Sequence, residues 1–292
     1  MSVTHPQGFR AAGVSAGLKT SGGLDMALVA NDGPSFANAT VFTSNRCKAN
    51  PILWSEQVVK DGQARAVVLN SGGANCYTGT EGFQTTHAVA EKVAEGLGIG
   101  AIDVIVCSTG LIGLMNDRDD LVAGVGALNG ALSSDGGEDA AKAIMTTDSV
   151  HKQVVVEGDG WSIGGMAKGA GMLAPGLATM LVVLTTDADL DPATLDRALR
   201  ASTRVSFDRL DSDGCMSTND TVTLMASGAS GETPDEAAFT EALTSACTNL
   251  AMQLLADAEG ADHEIAITVL HAASEDEAVE VGRSVARSNL FK

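Results

Sequence analysis

The chain has 292 residues, enough for one large α/β domain or two smaller ones, and 45% of them are apolar, enough to furnish a core. Its 37 acidic against 18 basic side chains leave a net charge of −19, the wrong sign for neutralising phosphates or lying on anionic lipid, so nucleic acid and membrane are excluded as expected partners. Five cysteines without a CxxC pair and five histidines without HExxH spacing give neither a disulfide framework nor a metal site.

Apolar runs rich in β-branched residues predict strands at 25–30, 39–43 and 64–69. A helix at 82–97 and a strand at 103–107 follow, then helices at 119–132 and 138–145 and a strand at 154–156. A glycine-dense passage, 158–176, leads into a strand at 180–185. Beyond it come a helix at 192–202, started by Asp191 before Pro192, a strand at 221–226, a helix at 234–259 and a strand at 264–270. Ser274 with Glu277 reads as a capping box opening a last helix, 275–287. The alternation makes the chain mixed α/β. No stretch approaches the roughly 20 apolar residues that span a bilayer, and the N-terminus lacks a basic start with an apolar run behind it, so a cytoplasmic enzyme is expected.

The passage MAKGAGMLAPGLATML, residues 166–181, is the most informative. Its Gly169-Ala170-Gly171 pair suggests a phosphate cradle, but such a loop follows a strand and opens a helix, whereas this one feeds a strand. A second reading is self-processing. A threonine where a strained loop enters a strand can attack the carbonyl before it, and small Ala178 leaves that carbonyl accessible. Cleavage frees an α-amine with a reference pKa of about 7.7 to 8.0, which can serve as base for the hydroxyl of the same residue, Thr179. The plainer reading makes Thr179 an ordinary strand-start residue.

The 166–181 passage resembles the self-cleavage and nucleophile motif of the ornithine acetyltransferases of arginine biosynthesis. Three further segments are similar to that family in the same order. CSTGLIG (107–113) resembles its oxyanion loop, AIMTTD (143–148) a substrate-contacting loop, and ADAEG (256–260) the segment carrying a substrate-binding glutamate. NSGGAN (70–75) and STNDT (217–221) also look familiar, so the likeness spans essentially the whole chain.

The resemblance implies an N-terminal-nucleophile α/β fold, shared with self-processing aminopeptidases, in which mixed sheets are layered with helices. It implies cleavage between Ala178 and Thr179 into an α chain (1–178) and a β chain (179–292), which associate as an α2β2 heterotetramer. The implied reaction moves acetyl from N2-acetylornithine to glutamate through an acetyl-threonine on Thr179. Thr109 and Gly110 would form the oxyanion hole, and Thr146, Lys168 and Glu259 would bind substrate. No cofactor or metal is implied, and some members also take acetyl-CoA as donor.

Each of these residues has a plainer role: Thr109 and Gly110 as a strand end, Thr146 in a turn after a helix, Lys168 as a solvated loop charge, Glu259 as an exposed helix end. Cys107 and Ser108 are rival nucleophiles, though no histidine sits at a telling position to activate them. Asp211-Ser212-Asp213-Gly214 has a calcium-loop look, but its glycine comes too early and no glutamate closes it.

Family members are longer. After the segment matching 288–292 they carry a strand, an Asp-Pro-Asn-Trp-Gly-Arg type motif and a substrate-touching tail, none of which follows here. Smaller departures are Cys76-Tyr77, Leu114-Met115-Asn116, and Ala261-Asp262-His263 where Thr-Lys is usual. The alternatives are therefore a threonine-nucleophile amidohydrolase or aminopeptidase, if water reaches the acyl-threonine, and an inactive truncated binding remnant.

Overall fold

The computed structural model describes residues 2–172 and 180–291. In chain order the elements are β1 (Phe9–Val14), β2 (Met26–Asn31), β3 (Ala37–Phe42), α1 (Asn50–Val58), β4 (Ala66–Asn70), α2 (Gly79–Leu97), β5 (Val104–Ser108), α3 (Arg118–Ala131), α4 (Gly137–Ala143), β6 (Lys152–Glu157), β7 (Ser162–Lys168), β8 (Leu181–Thr186), α5 (Pro192–Val205), β9 (Thr221–Ala226), α6 (Glu236–Ala256) and α7 (Glu275–Ala286). One sheet has the order β1-β2-β4-β5 and the other β3-β9-β8-β7-β6. Among the described strands, β4 with β5 and β8 with β9 pair in parallel and the other neighbours antiparallel.

Runs that are apolar at every position need cover on both faces, and the side-chain alternation shows what supplies it. Val67 and Leu69 of β4, with Ile105 and Cys107 of β5, turn towards the other sheet and meet Leu181, Val183, Met166 and Met225 in one buried cluster. Their neighbours Ala66, Val68, Val104 and Val106 turn outward, onto Val89, Ala90 and Val93 of α2 and Leu121, Val125 and Leu128 of α3. On the far side, Val182 and Leu184 of β8 and Val222 and Leu224 of β9 pack on Leu195 and Leu199 of α5 and Leu243 and Leu250 of α6. The result is four layers, helices outside and two sheets inside, with period-two strands deciding which residue joins which interface.

Helix starts follow capping chemistry. Asp191 accepts from the amides of Ala193 and Thr194 ahead of Pro192, and Asp235 and Asp117 do the same for α6 and α3. At α7, Ser274 accepts from Glu277 N, while the Glu277 carboxylate takes the amide of Ala273.

Three expectations fail. The glycine-rich passage is not a continuous loop, because β7 occupies Ser162–Lys168 within it. Glycine there serves close approach: a Cβ on Gly164 would sit 2.2 Å from the Ser2 carbonyl oxygen, and one on Gly165 would meet Leu184, Val154 and Leu250. The strand expected at 264–270 is absent, and no strand among the described residues runs beside it. Ile265 and Ile267 instead face α7 across a cavity of about 450 Å³ that Leu210 and Leu255 also line. Finally, β1 and α1 were not anticipated. β1 is short and half-covered, and α1 is a nine-residue helix begun by Ala49 with no side-chain cap.

Candidate active site

The ladder register brings several strand ends to one place. Lys168 ends β7 opposite Leu181 at the start of β8, which in turn lies opposite Thr221 at the start of β9. In the facing sheet, Asn70 and Ser108 end the parallel pair β4 and β5. The two sheets are tied here by Asn219, whose Nδ2 donates to Ser108 O at 2.8 Å and Ala74 O at 2.6 Å. Ser108 Oγ donates to Asn70 Oδ1 at 2.6 Å, and Thr109 N donates to Asn70 O at 2.9 Å.

Thr109 is thereby fixed just past its strand, 1% exposed. Gly110 follows with φ +118°, and a Cβ there would stand 2.5 Å from the Gly72 carbonyl oxygen, so only glycine fits. Lys168 reaches this loop from the other sheet. Its Nζ donates to Thr146 Oγ1 at 2.8 Å and to Thr109 Oγ1 at 3.2 Å. Burial pushes the Lys168 ammonium down to about 8; Asp148 and Asp220 oppose that, while Lys152 and Lys19 add to it.

Asp148 spaces this cluster. Its Oδ1 accepts from Gly169 N at 2.6 Å and from Lys152 Nζ at 2.7 Å, and its Oδ2 accepts from Thr146 N at 3.0 Å. Burial works to raise its pKa, but Lys168 and Lys152 outweigh it and hold the carboxyl below its ordinary value. Lys152 also donates to Asp257 at 2.6 Å, anchoring the chain just past α6. Two residues on, Glu259 donates its amide to Ala170 O at 2.6 Å, and its carboxylate takes a short hydrogen bond from the Thr147 hydroxyl. Glu259 itself is exposed.

Of the residues singled out in the sequence, Thr109, Gly110, Thr146 and Lys168 thus form one cluster, and Glu259 stands at its edge beside Gly171, whose Cβ would approach it at 3.1 Å. Ala178 and Thr179 lie outside the described residues. The described chain resumes at Met180, whose amide donates to Asp220 Oδ1 at 3.0 Å and whose carbonyl accepts from Thr221 N at 3.2 Å. Asp220 is completely buried, and burial raises its carboxyl well above the usual range.

The rival nucleophiles are poorly placed. Cys107 is buried and its thiol is pushed up to about 12, so thiolate is scarce at neutral pH. Ser108 spends its hydroxyl proton on Asn70. In the 211–214 turn, Asp211 accepts from Gly214 N, and Asp213 accepts from Cys215 N and Met172 N. No group of three or more metal-ligating side chains occurs among the described residues. Sequence reasoning gave no role to Asn70, Asp148, Asn219 or Asp220. Asn70, Asn219 and Asp220 lay in segments already noted as familiar and Asp148 closed the 143–148 segment, and for the first three the available signal was an unexplained Asn or Asp beside a strand.

Face-to-face sheets between helix layers, with polar strand ends gathered at one end, define the N-terminal-nucleophile class of fold. An L-aminopeptidase D-Ala-esterase/amidase from Ochrobactrum anthropi, described as a variant of the Ntn hydrolase fold, matches with a TM-score of 0.51 at 14% identity, over 89% of this chain and 88% of its own. Within that class the chain belongs to the ArgJ family, whose profile matches residues 10–292. The arginine biosynthesis bifunctional protein ArgJ of Streptomyces coelicolor is 64% identical over all of this chain and 76% of its own length. An ornithine acetyltransferase from Mycobacterium tuberculosis, solved with ornithine, is 57% identical with a TM-score of 0.59, covering 60% of this chain and 94% of that one.

Proposed function

We infer that the chain is an acetyl-transfer enzyme of arginine biosynthesis, a glutamate N-acetyltransferase that moves acetyl from N2-acetylornithine to glutamate. The observation that carries the reading is the cluster of buried Lys168 and Thr109 with half-buried Thr146 at the sandwich end where β8 begins. Membership of the ArgJ family supplies the substrates.

Cleavage between Ala178 and Thr179 yields chains 1–178 and 179–292, which stay associated and pair into an α2β2 assembly. Thr179 Oγ attacks the acetyl carbonyl while its own α-amine takes the proton. The Thr109 hydroxyl and the Gly110 amide receive the developing oxyanion, a contribution of several kcal/mol when donors are fixed in advance. The amide C–N bond then breaks and ornithine departs, protonated by the α-ammonium. Glutamate attacks the acetyl-threonine ester with its amine, and Thr179 is regenerated.

Two Lys168 hydrogens go to Thr109 and Thr146, and the third has no acceptor among the described residues; a substrate carboxylate fits there. Glu259 suits the cationic end of ornithine. Every step uses groups the chain supplies, so no cofactor is called for, and acetyl-CoA is a second donor by the same chemistry. The cytoplasm is the setting that a biosynthetic activity suggests, and no helix among the described residues is long and apolar enough to cross a membrane.

Intact mass spectrometry of the wild type beside Thr179→Ala tests the reading. Two polypeptides divided after Ala178 are expected from the wild type and one full-length chain from the variant. A wild type that stays whole, or is cut elsewhere, overturns it.

A further inference from the structure

We propose that Lys168, beyond any contact with substrate, is a positioning residue for the oxyanion hole: it occupies the acceptor side of the Thr109 hydroxyl and so leaves that hydroxyl's hydrogen to the reacting carbonyl oxygen. The inference rests on the function proposed above and deepens it. A threonine hydroxyl both donates and accepts, so its usefulness as an oxyanion donor depends on which way it is turned. An ammonium only donates. Lys168 Nζ, 3.2 Å from Thr109 Oγ1, therefore sets the direction of their hydrogen bond, and the Thr109 hydroxyl itself donates to no group among the described residues.

Thr146 is held in the same sense at 2.8 Å, which anchors the ammonium on a second side. Lys168 is 2% exposed, so water does not compete for these bonds. Its charged neighbours are Asp148, Lys152, Asp220 and Lys19, and Asp148 is bonded to Lys152. A cation fixed behind the hydroxyl also strengthens it as a donor, since both groups are buried. If Lys168 loses its proton, Nζ gains a lone pair and can accept from Thr109; the bond reverses and the hole loses a donor. Burial brings that change to about pH 8.

The test separates orientation of the hole from binding of a carboxylate by using an acetyl donor that has none, 4-nitrophenyl acetate. Thr179 Oγ forms a bond to the acetyl carbon, the aryl C–O bond breaks, 4-nitrophenolate leaves, and the hydroxyl proton passes to the α-amine. Acetylation rates are measured per cut enzyme, counted by mass, for wild type, Lys168→Met, Thr109→Val and the double variant. Each single variant is expected to be slower by about 100-fold, and the double variant to match Thr109→Val within about threefold. A Lys168→Met rate close to wild type, or a double variant whose loss is the product of the singles, overturns the proposal alone. A cut wild type that takes no acetyl on Thr179 overturns the underlying reading and the proposal with it.

Should Lys168→Met fail to fold or cut, wild type and Thr109→Val decide the matter across roughly pH 6 to 10. Deprotonation of the Thr179 amine raises both rates alike, so the wild-type rate divided by that of Thr109→Val, which has no hydroxyl to turn, should fall as pH rises through about 8. A ratio that does not change with pH overturns the proposal.

Discussion

A lysine ammonium with no access to water is costly to keep charged, and Lys168 carries that cost in the folded chain. The unfolded chain holds this proton up to the ordinary 10.5, the folded chain only to about 8. Between those values the unfolded state binds more protons, so the Lys168 contribution to stability improves as pH rises through that window and is at its most unfavourable below pH 8. Lys168→Met should accordingly be more stable than the wild type at pH 7, by up to about 3 kcal/mol, with the gap closing towards pH 10.5. Urea denaturation of both proteins at the two pH values measures this. A variant less stable than the wild type at pH 7 would mean that Asp148 and Asp220 depend on this cation more than it suffers from burial.

At this scale the sequence carried much of the candidate site. Thr109 and Gly110 were legible only through the likeness of segment 107–113 to a family's oxyanion loop, because Thr and Gly are common at strand ends. Lys168 was named through the same likeness and was expected in a loop; as the last residue of β7 it reaches across the sandwich to Thr109 instead. Asn219 and Asp220 stayed illegible in role because their partners, Ser108 O, Ala74 O and Met180 N, are distant in sequence.

Among elements, the runs 221–226, 180–185 and 64–69 could be read because a strand buried on both faces leaves an unbroken apolar signature. β7 could not, since Ser-Ile-Gly-Gly-Met-Ala-Lys has the composition of a loop, and its glycines make room for Ser2 and for side chains of neighbouring elements. The run 264–270 failed in the opposite sense: alternation gives a strand its faces, but only a neighbour gives it a ladder.

The link between β6, the 146–149 loop and α6 depends on Lys152, which is fully buried with Asp148 on one side and Asp257, 9% exposed, on the other. Replacing Lys152 with Met leaves two carboxylates without their cation, which should lower stability by roughly 3 to 5 kcal/mol. Thermal unfolding reads this directly; a loss below about 1 kcal/mol would place the link in the range of exposed pairs and remove it as the anchor of the Glu259 segment.

For the whole molecule, the four-layer arrangement explains why the candidate chemistry sits where it does. Two sheets that share one interior end together, and their terminal residues converge without any single loop having to carry the site. Composition bounded this architecture only loosely, to a mixed α/β chain with a core poor in aromatics. The particular fold became legible through ordered motifs, because their likeness to one family implied it, and the structure brings Thr109, the 143–148 loop and the start of β8 to the same end.

The central claim is that acetyl rides on Thr179. The most direct measurement incubates the cut wild type with N2-acetylornithine in the absence of glutamate, quenches in acid before the ester can move to the amine, and maps the peptides by mass. Acetyl on the first residue of the 179–292 chain, discharged when glutamate is added, is the predicted result. Acetyl on any other side chain, or transfer to glutamate with no acetyl-threonine formed, would contradict it.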